Sequence, residues 1–310
     1  MGSTAIIFPG QGAQKVGMGR DVAEISTVAA ETFAQAGEVL GFDLAALCYE
    51  GPAERLEATD VQQPAIFVTS VALYRAWVEA VGEPTPAAAA GLSLGEYTAL
   101  HVAGSFGFAD ALKLVQRRGE LMQEAAEAVP GGMASVMQLS ESEVDAICAE
   151  ASRDGEVVTP ANFNCPGQIV LSGHAGACDR AAALVDQHGG RAIVLQVAGA
   201  FHSPLMQPAA DKLTEALAEV EIREPKFPVI ANVDAEAHGN PERIRDALTR
   251  QVTSPVRWQL SIERLIDQGV GTFVEVGPGR VLTGLMRRID RKAKAINVST
   301  AAALNEAVPA

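Results

Sequence analysis

The sequence predicts an α/β protein: a parallel sheet with helices packed against it, interrupted by a smaller inserted unit. Three observations carry that expectation. Short apolar runs end in glycine-rich turns and give way to helical patterning, as buried parallel strands do when they feed loops and helices. Between residues 132 and 197 the pattern changes to six short elements in the order β-α-β-β-α-β. A chain of 310 residues also suits one large domain carrying a smaller one as an insertion.

The first strand is the run Ala5-Ile6-Ile7-Phe8, which stops at Pro9-Gly10-Gln11-Gly12. Helical patterning follows over about residues 19–48, then a turn at Gly51-Pro52 and an apolar helix over about 64–81, with Pro64 at its start as helix chemistry prefers. A strand of small residues, 87–90, runs into Gly91-Leu92-Ser93-Leu94-Gly95. A helix over about 108–127 comes next. The inserted unit reads as strands 133–139, 157–163, 168–172 and 191–197, with helices over 140–152 and 175–188, the first opened by Ser140 and Glu143 as a capping box. That order is the ferredoxin-like arrangement. The expected division is therefore 1–130 with 199–310 as the large domain and 131–198 as the small one. Beyond it lie a helix from about 204, a strand near 228–232, helices near 241–252 and 258–268, and a strand 272–276 ending in Gly277-Pro278-Gly279. A final helix from about 281 is expected to carry the densest cationic cluster: Arg287, Arg288, Arg291, Lys292 and Lys294.

Composition limits the functions available. Hydrophobic residues at 48% and charged residues at 20% describe an ordinary globular core, not a disordered chain. A net charge of −14 argues against general affinity for nucleic acid or an anionic membrane. No apolar run approaches the ~18 residues of a membrane span, and no signal peptide pattern opens the chain, so a cytoplasmic protein is expected. Cys48, Cys148, Cys165 and Cys178 lack the spacing of a zinc site or disulfide framework and read as reduced core thiols.

Two motifs carry chemistry. Gly91-Leu92-Ser93-Leu94-Gly95 matches the G-x-S-x-G elbow, in which a tight strand-to-helix turn leaves a serine exposed as a nucleophile. The bland alternative is Ser93 as a helix cap paired with Glu96. A serine needs a base, and of His101, His174, His188, His202 and His238 the best placed is His202, in the loop Ala200-Phe201-His202-Ser203-Pro204 just after the insertion. Arg118 lies on the apolar stripe of its helix, among Ala111, Leu114, Val115, Leu121, Met122 and Ala125. A guanidinium there must be paired, either with a protein carboxylate or with a carboxylate of the substrate.

Taken in order, Phe8-Pro9-Gly10-Gln11-Gly12-Ala13-Gln14, residues 91–99 and 116–123, Ala161-Asn162-Phe163-Asn164, and residues 200–206 and 275–282 resemble the malonyl-CoA:acyl carrier protein transacylases, acyltransferases of bacterial-type fatty acid synthesis. The resemblance implies an α/β-hydrolase-like core with a ferredoxin-like insertion and a two-step exchange through an acyl-serine. It implies Ser93 as nucleophile, His202 as general base and acid, and Arg118 on the malonyl carboxylate. Backbone N–H groups of Gln11 and Leu94 would form the oxyanion hole, and the main-chain carbonyl of Gln251 would orient the histidine. Coenzyme A thioesters and phosphopantetheinylated acyl carrier protein are the implied substrates, with no metal and no cofactor, and nothing demands more than a monomer. Carrier proteins are acidic, so docking is expected at a local basic surface near Arg287, Arg288, Arg291 and Lys292, with Arg117 a further candidate. Many members have histidine where this chain has Leu92, and Phe201 resembles malonyl-preferring members, including polyketide synthase domains. The competing readings are a serine thioesterase or esterase on a related core and a non-catalytic acyl-binding module.

Overall fold

The computed structural model describes residues 3–306. Five strands form one wholly parallel sheet: β1 (Ser3–Phe8), β2 (Ala88–Gly91), β7 (Val229–Ile230), β8 (Val270–Val276) and β9 (Lys294–Val298), in the order β7-β2-β1-β8-β9. The central strands are buried on both faces, which is why they read as short continuous apolar runs. Strand β2 is built from alanines and a glycine, all buried, which lets the following helix Leu94–Val102 approach closely.

The second sheet is wholly antiparallel, made of β3 (Gly131–Met137), β4 (Val158–Cys165), β5 (Gln168–His174) and β6 (Arg191–Val194) in the order β4-β5-β3-β6. With helices Glu141–Ala151 and Ala175–Gln187 on it, this is the ferredoxin-like arrangement, and the Ser140–Glu143 capping box is formed. It has its own core around Val144, Ile147 and Leu171, while Met133, Ala161 and Val170 join the core of the large sheet. Backbone hydrogen bonds join the units: Val256 N–H donates to Ala161 O at 2.8 Å, and Phe163 N–H to Val256 O at 2.9 Å. Arg257 stacks its guanidinium 4.4 Å from the Phe163 ring centroid, and Arg288 donates to Gln168 Oε1 and Pro166 O.

Several elements differ from the sequence expectation. Pro64 does not start its helix. The helix runs Thr59–Val81, with Pro64 in its sixth position and tertiary burial outweighing the lost backbone bond. That helix is long and apolar enough to cross a bilayer by composition, but it is packed against helices Thr27–Leu40 and Phe108–Ala128, and its apolarity is that of a core helix. The 19–48 segment is three helices, Arg20–Ile25, Thr27–Leu40 and Leu44–Glu50. The cationic cluster does not share one final helix. Helix Val281–Ile289 carries Arg287 and Arg288, Arg291 and Lys292 follow it, and Lys294 opens β9, after which Ala301–Glu306 is a further helix. All four cysteines are free and buried, and burial pushes the thiols of Cys48 and Cys148 up to about 12.

Candidate active site

The carboxyl ends of β1, β2 and β8 lie side by side, so the loops Pro9–Gly12, Leu92–Ser93 and Gly277–Gly279 converge at one edge of the parallel sheet. Open α/β sheets bind ligands at such an edge. The turn after β2 is tight enough to require glycine: a Cβ on Gly91 would sit 1.9 Å from the Gly95 carbonyl carbon, and one on Gly95 2.2 Å from Phe8 O. Ser93 takes φ 51° and His202 φ 58°, both in the region that disfavours side chains, at a cost of about 1–3 kcal/mol each. Hydrogen bonds offset that strain. The Ser93 N–H donates to Asn232 Oδ1 at 2.7 Å, and Ser203 Oγ, next to His202, donates to Ala200 O at 2.7 Å.

A cavity of about 700 Å³ opens between the two units, with Ser93 and His202 in its wall beside Gln11, Leu92 and Phe201. Ser93 Oγ lies 2.8 Å from His202 Nε2, and His202 Nδ1 lies 2.8 Å from the Gln251 carbonyl oxygen. A carbonyl only accepts, so Nδ1 carries the proton and Nε2 is left to accept from the serine hydroxyl. Burial, with the Arg118 charge adding to it, pushes the His202 pKa down to about 4, against the opposing pull of the Gln251 carbonyl. The imidazole is therefore neutral near pH 7. Ser93 makes no side-chain cap on its helix, and Glu96 points elsewhere, so the capping alternative does not describe this turn.

Arg118 is completely buried behind the serine. Its Nη2 donates to Ser93 Oγ and to Gln251 Oε1, both at 2.9 Å, and its Nη1 donates to Gln63 Oε1 at 2.6 Å. Its carbon Cζ lies 5.3 Å from the Tyr97 ring centroid, and Nε has no partner among the described residues. Among those residues no carboxylate lies within ion-pair distance of it. Burial pushes its pKa below the usual arginine range, opposed by Tyr97 and Glu96. Leu94 is the first residue of its helix, so its N–H has no carbonyl one turn back to reach. The Gln11 side chain is fixed by a 2.6 Å hydrogen bond from Nε2 to Gln62 Oε1.

The structure also brings in Gln62, Gln63 and Asn232, which the sequence reading missed, with Glu96 and His238, which it named only as a cap partner and as one of five histidines; all are buried. Two adjacent amides within an apolar run were a readable signal for Gln62 and Gln63. Asn232 and His238 come from more than 130 residues away and carried none. Asn162 and Asn164 line the cavity, whereas His101 packs against Phe67 and Phe108 away from it.

Comparison with known proteins finds relatives over nearly the whole chain. The malonyl CoA-acyl carrier protein transacylase of Escherichia coli K12 is 48% identical over 303 residues, covering 97% of this chain and 96% of that protein. The one from Bacillus subtilis is 43% identical over 300 residues, covering 96% and 94%. Among solved structures, the malonyl CoA-acyl carrier protein transacylase of Coxiella burnetii superposes with a TM-score of 0.96 at 43% identity, covering 99% of this chain and 97% of that one. A malonyl-transacylase solved in complex with its type II PKS acyl-carrier protein gives 0.95 at 45% identity, covering 99% of each. The acyl transferase domain family matches residues 5–306, and the chain belongs to that family.

Proposed function

We propose that this chain transfers the malonyl group of malonyl-CoA to the phosphopantetheine thiol of acyl carrier protein, through a malonyl ester on Ser93. One observation carries the reading: a fully buried guanidinium, unpaired with any carboxylate among the described residues, lies 2.9 Å from a serine that is itself 2.8 Å from a neutral histidine. His202 Nε2 takes the hydroxyl proton as Oγ attacks the thioester carbonyl, and the N–H groups of Leu94 and Gln11 hold the oxyanion. His202 then gives the proton to the departing coenzyme A thiolate. The carrier thiol repeats the sequence in reverse, its proton passing to His202 and its sulfur taking the acyl group. Arg118 Nη2 exchanges its bond to Ser93 Oγ for the malonyl carboxylate, a charge-assisted bond that an acetyl group cannot offer.

The test is intact-mass detection of a malonyl adduct on Ser93, followed by its discharge to carrier protein. Free malonate as the main product with carrier protein present would indicate a thioesterase, and failure to form an adduct would indicate a binding module. The pH dependence follows from the depressed His202 pKa. With the base form present above about pH 4, acylation by malonyl-CoA should hold level from neutrality to about pH 5. Arg118→Ala removes one of the two causes of that depression. Its acid limb, followed with acetyl-CoA, should therefore move to higher pH.

Helix Val281–Ile289 supports a docking surface, because Val281 and Leu285 line the cavity while Arg287 on the same helix is exposed, with Arg291 and Lys292 beyond it. Arg288 is partly committed to Gln168 and Pro166. Arg287→Glu should raise the KM for acyl carrier protein several-fold and leave acylation by malonyl-CoA unchanged. An unchanged KM would remove this surface from the carrier's path.

A further inference from the structure

Beneath the reacting groups lies a carboxylate that touches none of them. Glu96, in the first turn of helix Leu94–Val102, is fully buried. Its Oε2 accepts from the Asn232 N–H at 3.0 Å and from Gln251 Nε2 at 2.7 Å, and its Oε1 accepts from His238 Nε2 at 2.7 Å. Each of the first two partners reaches the site. Asn232 Oδ1 accepts the Ser93 N–H, and Asn232 Nδ2 donates to Gly91 O at 2.7 Å, so Asn232 clamps both sides of the strained turn. Gln251 Nε2 also donates to Ser93 O at 3.0 Å, its Oε1 accepts from Arg118, and its main-chain carbonyl accepts from His202.

We propose that Glu96 is the positioning residue of this site, setting Ser93, His202 and Arg118 together through Asn232 and Gln251; this rests on the acyl-transfer reading above. The argument is one of donor and acceptor polarity. Glu96 Oε2 already accepts the Asn232 N–H and so faces Gln251 as an acceptor; Gln251 must therefore turn its NH₂ toward Glu96 and its oxygen toward Arg118. Reversing that amide would aim an N–H at a guanidinium that only donates, leaving both unpaired in a buried site. The same side chain fixes the helix carrying Gln251, whose carbonyl sets the His202 tautomer. The acid is thus hydrogen-bonded to the fork's partner and not to the fork, which leaves Arg118 unclaimed by this carboxylate.

Glutamine can replace Glu96 with the polarity intact. Its oxygen would accept from Asn232 and Gln251, and its NH₂ would donate to His238 Nε2 once the His238 proton moves to Nδ1, an atom without a partner in the structure. Alanine cannot. The experiment compares single-turnover acylation rates of Ser93 in the full chain, by rapid quench and intact mass, with malonyl-CoA and acetyl-CoA. These rate constants do not depend on the fraction of folded enzyme. Glu96→Ala should lose on the order of 100-fold with both thioesters, the effect of misplacing reacting groups by about 1 Å, while Glu96→Gln stays within about tenfold of the parent. A folded Glu96→Ala that acylates within about threefold of the parent overturns the proposal, as does a loss confined to malonyl-CoA. If Glu96→Ala does not fold, Glu96→Asp, shorter by one methylene, is read the same way. Absence of any adduct on the unsubstituted chain is a separate result that defeats the acyl-transfer reading itself.

Discussion

Arg118→Ala is expected to lower kcat/KM for malonyl-CoA by about 10²–10³-fold while sparing acetyl-CoA. That is the middle of the roughly 30- to 5,000-fold span expected from removing one partner of a desolvated, hydrogen-bonded charge pair, about 2–5 kcal/mol. The malonyl carboxylate would meet only the amides of Gln63 and Gln251, each left with an unpaired oxygen. Acetyl-CoA carries no such charge and loses nothing it had. The quantity to measure is the ratio of kcat/KM for the two thioesters in the parent and the variant. Equal losses on both would make Arg118 a support for Ser93 Oγ and not the seat of the acyl carboxylate.

His202→Ala should reduce the rate of Ser93 acylation by about 10³-fold or more with every thioester, without changing which one is preferred. General-base assistance accounts for about 10²–10⁴-fold, and among the described residues the bond to His202 Nε2 is the only one that would receive the serine proton. Ser93→Ala should remove the adduct altogether, and the double variant should be no slower in turnover than the single ones, because the two groups act as a unit. Intact mass reads the adduct, and steady-state transfer to carrier protein above the uncatalysed background reads the turnover of the single and double variants. Multiplicative losses in the double variant would mean that His202 and Ser93 act independently.

The sequence displayed the parallel sheet clearly wherever a strand was buried on both faces and ended in glycine, as at Phe8, Gly91 and Val276. It displayed β9 poorly: Lys-Ala-Ile-Asn-Val is an edge strand that is only partly buried, and its cations read as the tail of a helix. Proline is favoured at a helix start, but the helix begins five residues before Pro64, at Thr59, and the burial of Gln62 and Gln63 directly before the proline is set by tertiary neighbours that a local pattern does not display. The same logic held at the site. Ser93 sits in a local turn whose steric requirements are written in adjacent glycines, and Arg118 stands out as a charge on an apolar stripe. Glu96, Asn232 and His238 meet only through long-range packing, and the local pattern offered a cap as the simpler account of Glu96.

The hydrogen bonds between Val256 and the strand bearing Ala161 and Phe163, reinforced by the cation resting on Phe163, bolt the inserted unit to its host. The cavity beside these contacts is where a tether must enter to reach Ser93. The coenzyme and the carrier would present the same slender phosphopantetheine arm, so one opening would suit the outgoing and the incoming thiol alike.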